Sequence, residues 1–134
     1  MTQETWIVPI NPKYLDIKEH LKRSREIAVK KTKIVNKGDI AYIYLSSPIS
    51  QIKYKGTIVE SICDSKTLIN HPYTEALKIY GPASFFLIKI DKEFADGIYN
   101  YDELKKHGVG QFQNVARASQ QIMNYFKETE EKGN

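Results

Sequence analysis

Few of the residues that commonly carry chemistry are arranged to do so in this sequence. The histidines, His20, His71 and His107, stand apart from one another, and the one cysteine, Cys63, has no partner at metal-ligand spacing. No GxSxG, GxxxxGK[ST] or GxGxxG occurs, so neither a nucleophile elbow nor a phosphate-cradling loop is written in the chain. Asp102-Glu103 is an acidic pair, but at the start of a short helical pattern it complements the helix dipole rather than forming a catalytic dyad. These residues argue against an enzyme and imply no metal and no cofactor. Cys63 follows a strand pattern and reads as an inert buried thiol.

What remains is suited to holding a ligand. The stretch GDIAYIYLSSP, residues 38–48, places Tyr42 and Tyr44 on one strand face and ends at Ser46-Ser47-Pro48. Either the tyrosines pack a core, or the strand end is one wall of a pocket edged by hydroxyls. The second feature is charge. Between Lys13 and Lys37 lie nine lysines and arginines, among them Lys30, Lys31 and Lys33, against three carboxylates. Such a segment attracts phosphate without reading sequence, unless it is merely a solvated helix face and a charged loop.

Size and composition set the frame for these residues. A chain of 134 residues fits one domain, 1–134, and can bury roughly two thirds of its unfolded surface without a disulfide or metal. The net charge of +4 is weak evidence of a partner; its clustering is the stronger sign. A single cysteine excludes an internal disulfide and suits a reducing compartment. The start, MTQETWIVPINPK, has no signal-peptide pattern, and no apolar run approaches 18 residues. The expectation is a cytoplasmic domain with no membrane partner.

The elements that must position these residues follow from periodicity. Glu4 to Ile10 reads as a strand, with Pro9 confining it to a strand end or an edge. Asp16 to Glu19 reads as a capping box opening a helix over 16–27, followed by a basic connector from Lys30 to Lys37. Ile40 to Leu45 is apolar on both faces and reads as a central strand, with Tyr42 and Tyr44 on one of them. In the next strand, Gln51 to Ser61, Ile52, Tyr54 and Ile58 fall in phase, and Gly56 marks a bulge or a close backbone approach. An irregular stretch, 64–83, holds a short helix between Pro72 and Gly81. Phe85 to Asp91 is a strand, Tyr101 to His107 a helix stopped by Gly108, and Gly108 to Arg117 a loop. Ser119 caps the last helix. Strands and helices do not alternate regularly, so the class is α+β with a small mixed or barrel-like sheet.

Taken together, WIVPINPKYLDI (6–17), KGDIAYIYLSSPISQIKYKGTIVE (37–60), FFLIKI (85–90) and YDELKKHGV (101–109) resemble the EVE family of the PUA-like group, which includes the YTH and ASCH domains. The resemblance spans nearly the whole chain and implies a curved, barrel-like sheet flanked by helices with a pocket at one end, and with Tyr42 and Tyr44 expected to line the barrel interior. It also implies a nucleic-acid-binding module that accepts a flipped base, modified or not. Turning a base out of a duplex costs a few kcal/mol, offset by stacking and edge hydrogen bonds.

On that footing the base pocket is expected to draw on Trp6, Asn11, Pro12, Tyr44, Ser46, Ser47, Pro48, Tyr54, Gln111, Gln113 and Asn114. Lys30, Lys31, Lys33 and Arg117 are the expected phosphate rim. Each has a plainer reading as core, turn or loop. Relatives often carry tryptophan where this chain has Val29, and GQFQNVARAS replaces their usual loop, so the cage here is rebuilt, with Phe112 as a new wall, or serves another ligand. Any cleavage of nucleic acid would need a separate nuclease or effector protein. The alternatives are an RNA-binding PUA-like domain, a small-molecule or nucleotide-binding module, and a protein-interaction module with a degenerate pocket.

Overall fold

A computed structural model of the chain describes residues 3–13, 15–64 and 84–132, with Cys63 and Asp64 described in their backbone alone. The expected helix between Pro72 and Gly81, His71, and the burial of Cys63 lie outside the described residues. The strands are β1 (Thr5–Ile10), β2 (Glu26–Lys30), β3 (Ile40–Leu45), β4 (Gln51–Asp64), β5 (Ser84–Glu93) and β6 (Ala116–Arg117). The helices are α1 (Ile17–His20), α2 (Tyr101–Lys106) and α3 (Gln120–Glu131). No described helix is long and apolar enough to cross a membrane.

The strands form one mixed, unclosed sheet in the order β2-β5-β4-β3-β1-β6, in which only β1 and β3 run parallel. β3 is central, as its two apolar faces require. Pro9 is accommodated because β6 pairs only with Trp6 and Ile7, leaving Pro9 beyond its reach. The carbonyls of Glu4 and Ile10 accept from the β3 side and that of Thr5 from the β6 side, so the position of Pro9 faces away from β3 and its missing N–H breaks no bond there.

The inner face gathers Trp6, Val8, Ile27, Ala41, Ile43, Leu45, Tyr54, Ile58, Phe86, Ile88 and Ile90. Every long strand contributes, and residues from well-separated strands such as Trp6 and Ile27 join one cluster, so the sheet curls around them. The outer face, under α2 and α3, gathers Ile7, Tyr42, Tyr44, Ile52, Phe94, Tyr99, Leu104, Ile122 and Phe126. Burial of each such side chain stabilises by about 1.5–3 kcal/mol. Tyr42 and Tyr44 are therefore core residues of the helix-covered face, not the barrel interior expected of them. Tyr42 stacks on Phe126 with ring centroids 3.9 Å apart.

Three local outcomes correct the sequence reading. Asp16 does cap α1, accepting from the Glu19 backbone N–H, but Glu19 pairs with Lys22 instead of reaching back. The helix ends after one turn. The Ser24 hydroxyl accepts the Glu26 N–H and turns the chain outward, and β-branched Ile27 and Val29 then pair with Ile88 and Phe86 as β2. Lys30 thus ends a strand rather than starting a connector. Ile52 and Tyr54 face opposite clusters, because the β3–β4 register passes from Ile43↔Tyr54 to Tyr44↔Ile52 and skips Lys53. Gly56 meets both expectations: the β4–β5 register shifts beside it, and a Cβ there would lie 2.4 Å from the Lys89 carbonyl oxygen.

Candidate nucleic-acid interface

The described residues of the segments that follow β1 and β3, namely 11–13 with 15–16 and 46–50, emerge at the same end of the sheet, because the two strands run side by side in parallel. Each is shaped by its own polar residues. Asn11 accepts the Lys13 N–H through its side-chain oxygen, and Asp16 caps α1. Ser46 donates its backbone N–H to the Ile10 carbonyl, tying the turn to the loop, and Ser50 takes a positive φ of 51°.

Between them lies a cavity of about 410 Å³, lined by Pro12, Leu15, Asp16, Ile17, Lys18, Leu45, Pro48, Ile49, Gln51, Lys53, Tyr54, Glu93 and Asp96. It opens at the end of the inner core, since Ile17, Leu45 and Tyr54 belong to both. Buried Ile17, Leu45 and Tyr54 line its inner part, and exposed Asp16, Lys18, Glu93 and Asp96 stand at its lip beside exposed Pro48 and Ile49, so polar and apolar groups are mixed there. Lys53 crosses the lip, donating to the Phe94 carbonyl at 2.7 Å and to Asp96 at 2.6 Å. That bond holds the Asp96 carboxyl below the usual carboxylate range. Burial, then the nearby Glu93 charge, pushes the Tyr54 phenol up, so Tyr54 stays a neutral donor.

A second depression, about 490 Å³, lies on the outer-face side of the same turn, lined by Tyr44, Ser46, Ser47, Ser50, Asn100, Tyr101, Asp102 and Phe112. Tyr44 and Phe112 have ring centroids 4.5 Å apart, and Tyr101 and Phe112 5.0 Å. Burial pushes the Tyr44 phenol up against a Ser50 hydroxyl acting the other way.

The residues expected to share one pocket are thus divided. Pro12, Pro48 and Tyr54 line the barrel-end cavity, and Tyr44, Ser46 and Ser47 the outer depression. Trp6 lines neither: it is 4% exposed in the inner core, its Nε1 donating to the Asp39 carboxylate at 2.9 Å. Asn11 is exposed and occupied in its turn. The Gln111 side-chain oxygen accepts the Gln113 and Asn114 N–H groups, so these three shape the loop; Phe112 reaches the outer depression, and Gln111 lines a separate, smaller cavity with Arg117.

The phosphate candidates are also divided. Lys30 and Arg117 lie on β2 and β6, at opposite ends of the strand order. Lys31 donates to the Ser61 carbonyl, Lys33 is exposed, and Arg117 pairs with Glu4 while lying over the Trp6 ring. They do not ring the barrel-end mouth, where Lys18 and Lys53 stand among Asp16, Glu93 and Asp96. The sequence reading missed those five. Asp16, Lys18 and Lys53 lie within or beside the motif stretches, but nothing in sequence points to Glu93 and Asp96. Among the described residues no His, Cys, Asp and Glu cluster could hold a metal ion.

The fold so built is the PUA-like α+β fold that the sequence resemblance implies, shared with the following solved structures. ASCH from Zymomonas mobilis superposes with a TM-score of 0.71 at 11% identity, covering 95% of this chain and 96% of that one. Human THYN1, solved in complex with DNA containing 5-methylcytosine, gives 0.67 at 13% identity over 98% of this chain and 100% of that one. A hypothetical protein from Leishmania major gives 0.68 at 15% identity over 99% and 98%. No protein-family model matches the sequence, and no curated protein does.

Proposed function

We propose that this domain is a cytoplasmic nucleic-acid-binding module, not an enzyme, and that it takes an extruded base, modified or not, into the barrel-end cavity. The observation that carries this reading is convergence. The two stretches most specific to the EVE resemblance, separated by some twenty residues, meet as opposing walls: Pro12, Asp16 and Ile17 from one, Pro48, Gln51 and Tyr54 from the other. Apolar side chains would cover the faces of a flat ring. Gln51, Asp16, Lys18 and Tyr54 would offer donors and acceptors to its edge. The DNA-bound THYN1 lends support through shared fold alone. The mixed charge of the lip means that phosphate contacts must come from further out, with exposed Lys13, next to Pro12 in the wall, as the candidate cation. A separate effector protein would act on whatever is bound.

The test is fluorescence anisotropy with duplex DNA with and without 5-methylcytosine, and with matched single-stranded DNA and RNA, at two salt concentrations. Binding is expected to weaken with salt, by a slope of about −0.9 per duplex phosphate contact. Ile49→Glu puts a carboxylate at the cavity and is expected to weaken binding at least tenfold. Ile34→Glu adds the same charge at a residue 82% exposed and outside the cavity lining, and is expected to weaken it far less. Equal losses in both variants would contradict the reading, as would turnover of a nucleotide by the unmodified protein.

A further inference from the structure

The outer depression is left unused by a base in the barrel-end cavity, yet its composition fits a flat ring. Phe112 is half-buried between Tyr44 beneath and Tyr101 beside it, and Tyr101 is 40% exposed, one of the few large hydrophobic side chains displayed at the described surface. The rings are tilted by 33° and 40° rather than closed face to face, so they form an open shelf. Lys105 Nζ stands 5.3 Å from the Tyr101 ring centre. The Ser47 hydroxyl and the Asp102 carboxylate edge the shelf and can meet donors and acceptors of a ring, while Asn100 is held in capping α2, accepting the Glu103 N–H and donating to the Gly97 carbonyl.

The wall between the two cavities is one turn thick. Ser46, Ser47 and Ser50 face the shelf, while Pro48, Ile49 and Gln51 face the barrel-end cavity. Ser47 and Pro48 are covalent neighbours, their Cα atoms no more than about 4 Å apart. A strand crossing this turn meets both sites.

We propose that the Phe112–Tyr101 shelf is a second nucleobase site, stacking the base next to the one held at the barrel end. The occupant is a single-stranded or locally opened strand, since a base within a duplex has its faces covered by stacking and its edge used in pairing. The pairing of sites rests on the proposed function; the shelf itself does not.

A single-stranded hexanucleotide, in DNA and RNA forms, is titrated into the protein while NMR follows the ring protons of Phe112 and Tyr101 and the methyls of Ile49. Both sets are expected to move with one dissociation constant. Tyr101→Ala, at an exposed position, is expected to weaken binding roughly fivefold or more, the loss of part of one stacking contact. Phe112→Leu keeps an apolar side chain against Tyr44 but removes the ring, and is expected to weaken binding similarly while the protein stays folded. Movement of Ile49 without the rings, or unchanged affinity in both variants, would overturn the shelf and leave the barrel-end reading intact. Movement of the rings without Ile49 would support the shelf and count against the barrel-end site. If neither moves, both are overturned.

Discussion

On the inner face of the sheet the packing is largely aliphatic, and the buried carboxylate beside it, Asp39, serves the segments that start β1 and β3. It accepts from the Glu4 N–H at 3.1 Å, the Asn36 N–H at 3.0 Å and Trp6 Nε1 at 2.9 Å. On the outer face the packing is aromatic, and its carboxylate, Glu130, serves side chains from distant elements. It accepts from Tyr42 at 2.7 Å, Tyr99 at 3.1 Å and Lys55 at 2.9 Å. Asp39 fixes where the parallel pair β1–β3 begins, and so where its other end, carrying the barrel-end cavity, comes out. Glu130 clasps the end of α3 to the sheet. One carboxylate sets register and the other closes a layer.

The largest way to separate these roles is Asp39→Ala. It leaves two backbone N–H groups and the indole without their acceptor, and is expected to cost about 3–5 kcal/mol, read as a lower urea midpoint. Gly56→Ala comes next. Its new Cβ would press on the Lys89 carbonyl of β5, a backbone atom that cannot swing aside, and a loss of about 2–3 kcal/mol is expected.

Glu130→Gln is the smaller change, about 1–2 kcal/mol, since an acceptor of similar shape remains. It has a sharper signature in pH. Burial pushes the Glu130 carboxyl up, but the hydrogen bonds of Lys55 and Tyr42 together outweigh it, so the group sits below its ordinary value. The unfolded chain therefore binds the proton more readily. The clasp contributes fully above the unfolded carboxylate pKa of about 4.3 and is lost as pH falls through the lower folded value. A stability profile between pH 6 and 3 is expected to be flatter in Glu130→Gln than in the unmodified protein. Identical slopes would mean the clasp contributes nothing in solution. Tyr42, pushed up first by burial and then by Glu130, remains a donor throughout.

The contrast also explains what could be read in advance. The apolar character of both faces of 40–45 identified a central strand, and Ser119, Asp16 and Gly108 marked element ends, because these depend on local sequence. Which face of β3 lies inside a barrel depends on which layer covers it. Tyr42 and Tyr44 were assigned to the wrong side because α2 and α3 arrive from far along the chain. The skipped Lys53 likewise moved Tyr54 to the other face from Ile52, against strict period two. Asn11, Pro12 and Pro48 do lie at one end of the sheet, because β1 and β3 end side by side. Glu93 and Asp96 join the lip only through the β4–β5 pairing and the Lys53 bridge, which no motif carries.

The central claim is that a base enters the cavity between the Pro12–Lys18 and Pro48–Tyr54 segments. Photocrosslinking tests it most directly, with an oligonucleotide carrying one photoreactive pyrimidine and peptide mapping by mass spectrometry. Crosslinks are expected on Leu15, Ile49 or Tyr54. Crosslinks confined to peptides around Lys30–Lys33 or Arg117, with none at the cavity, would contradict it.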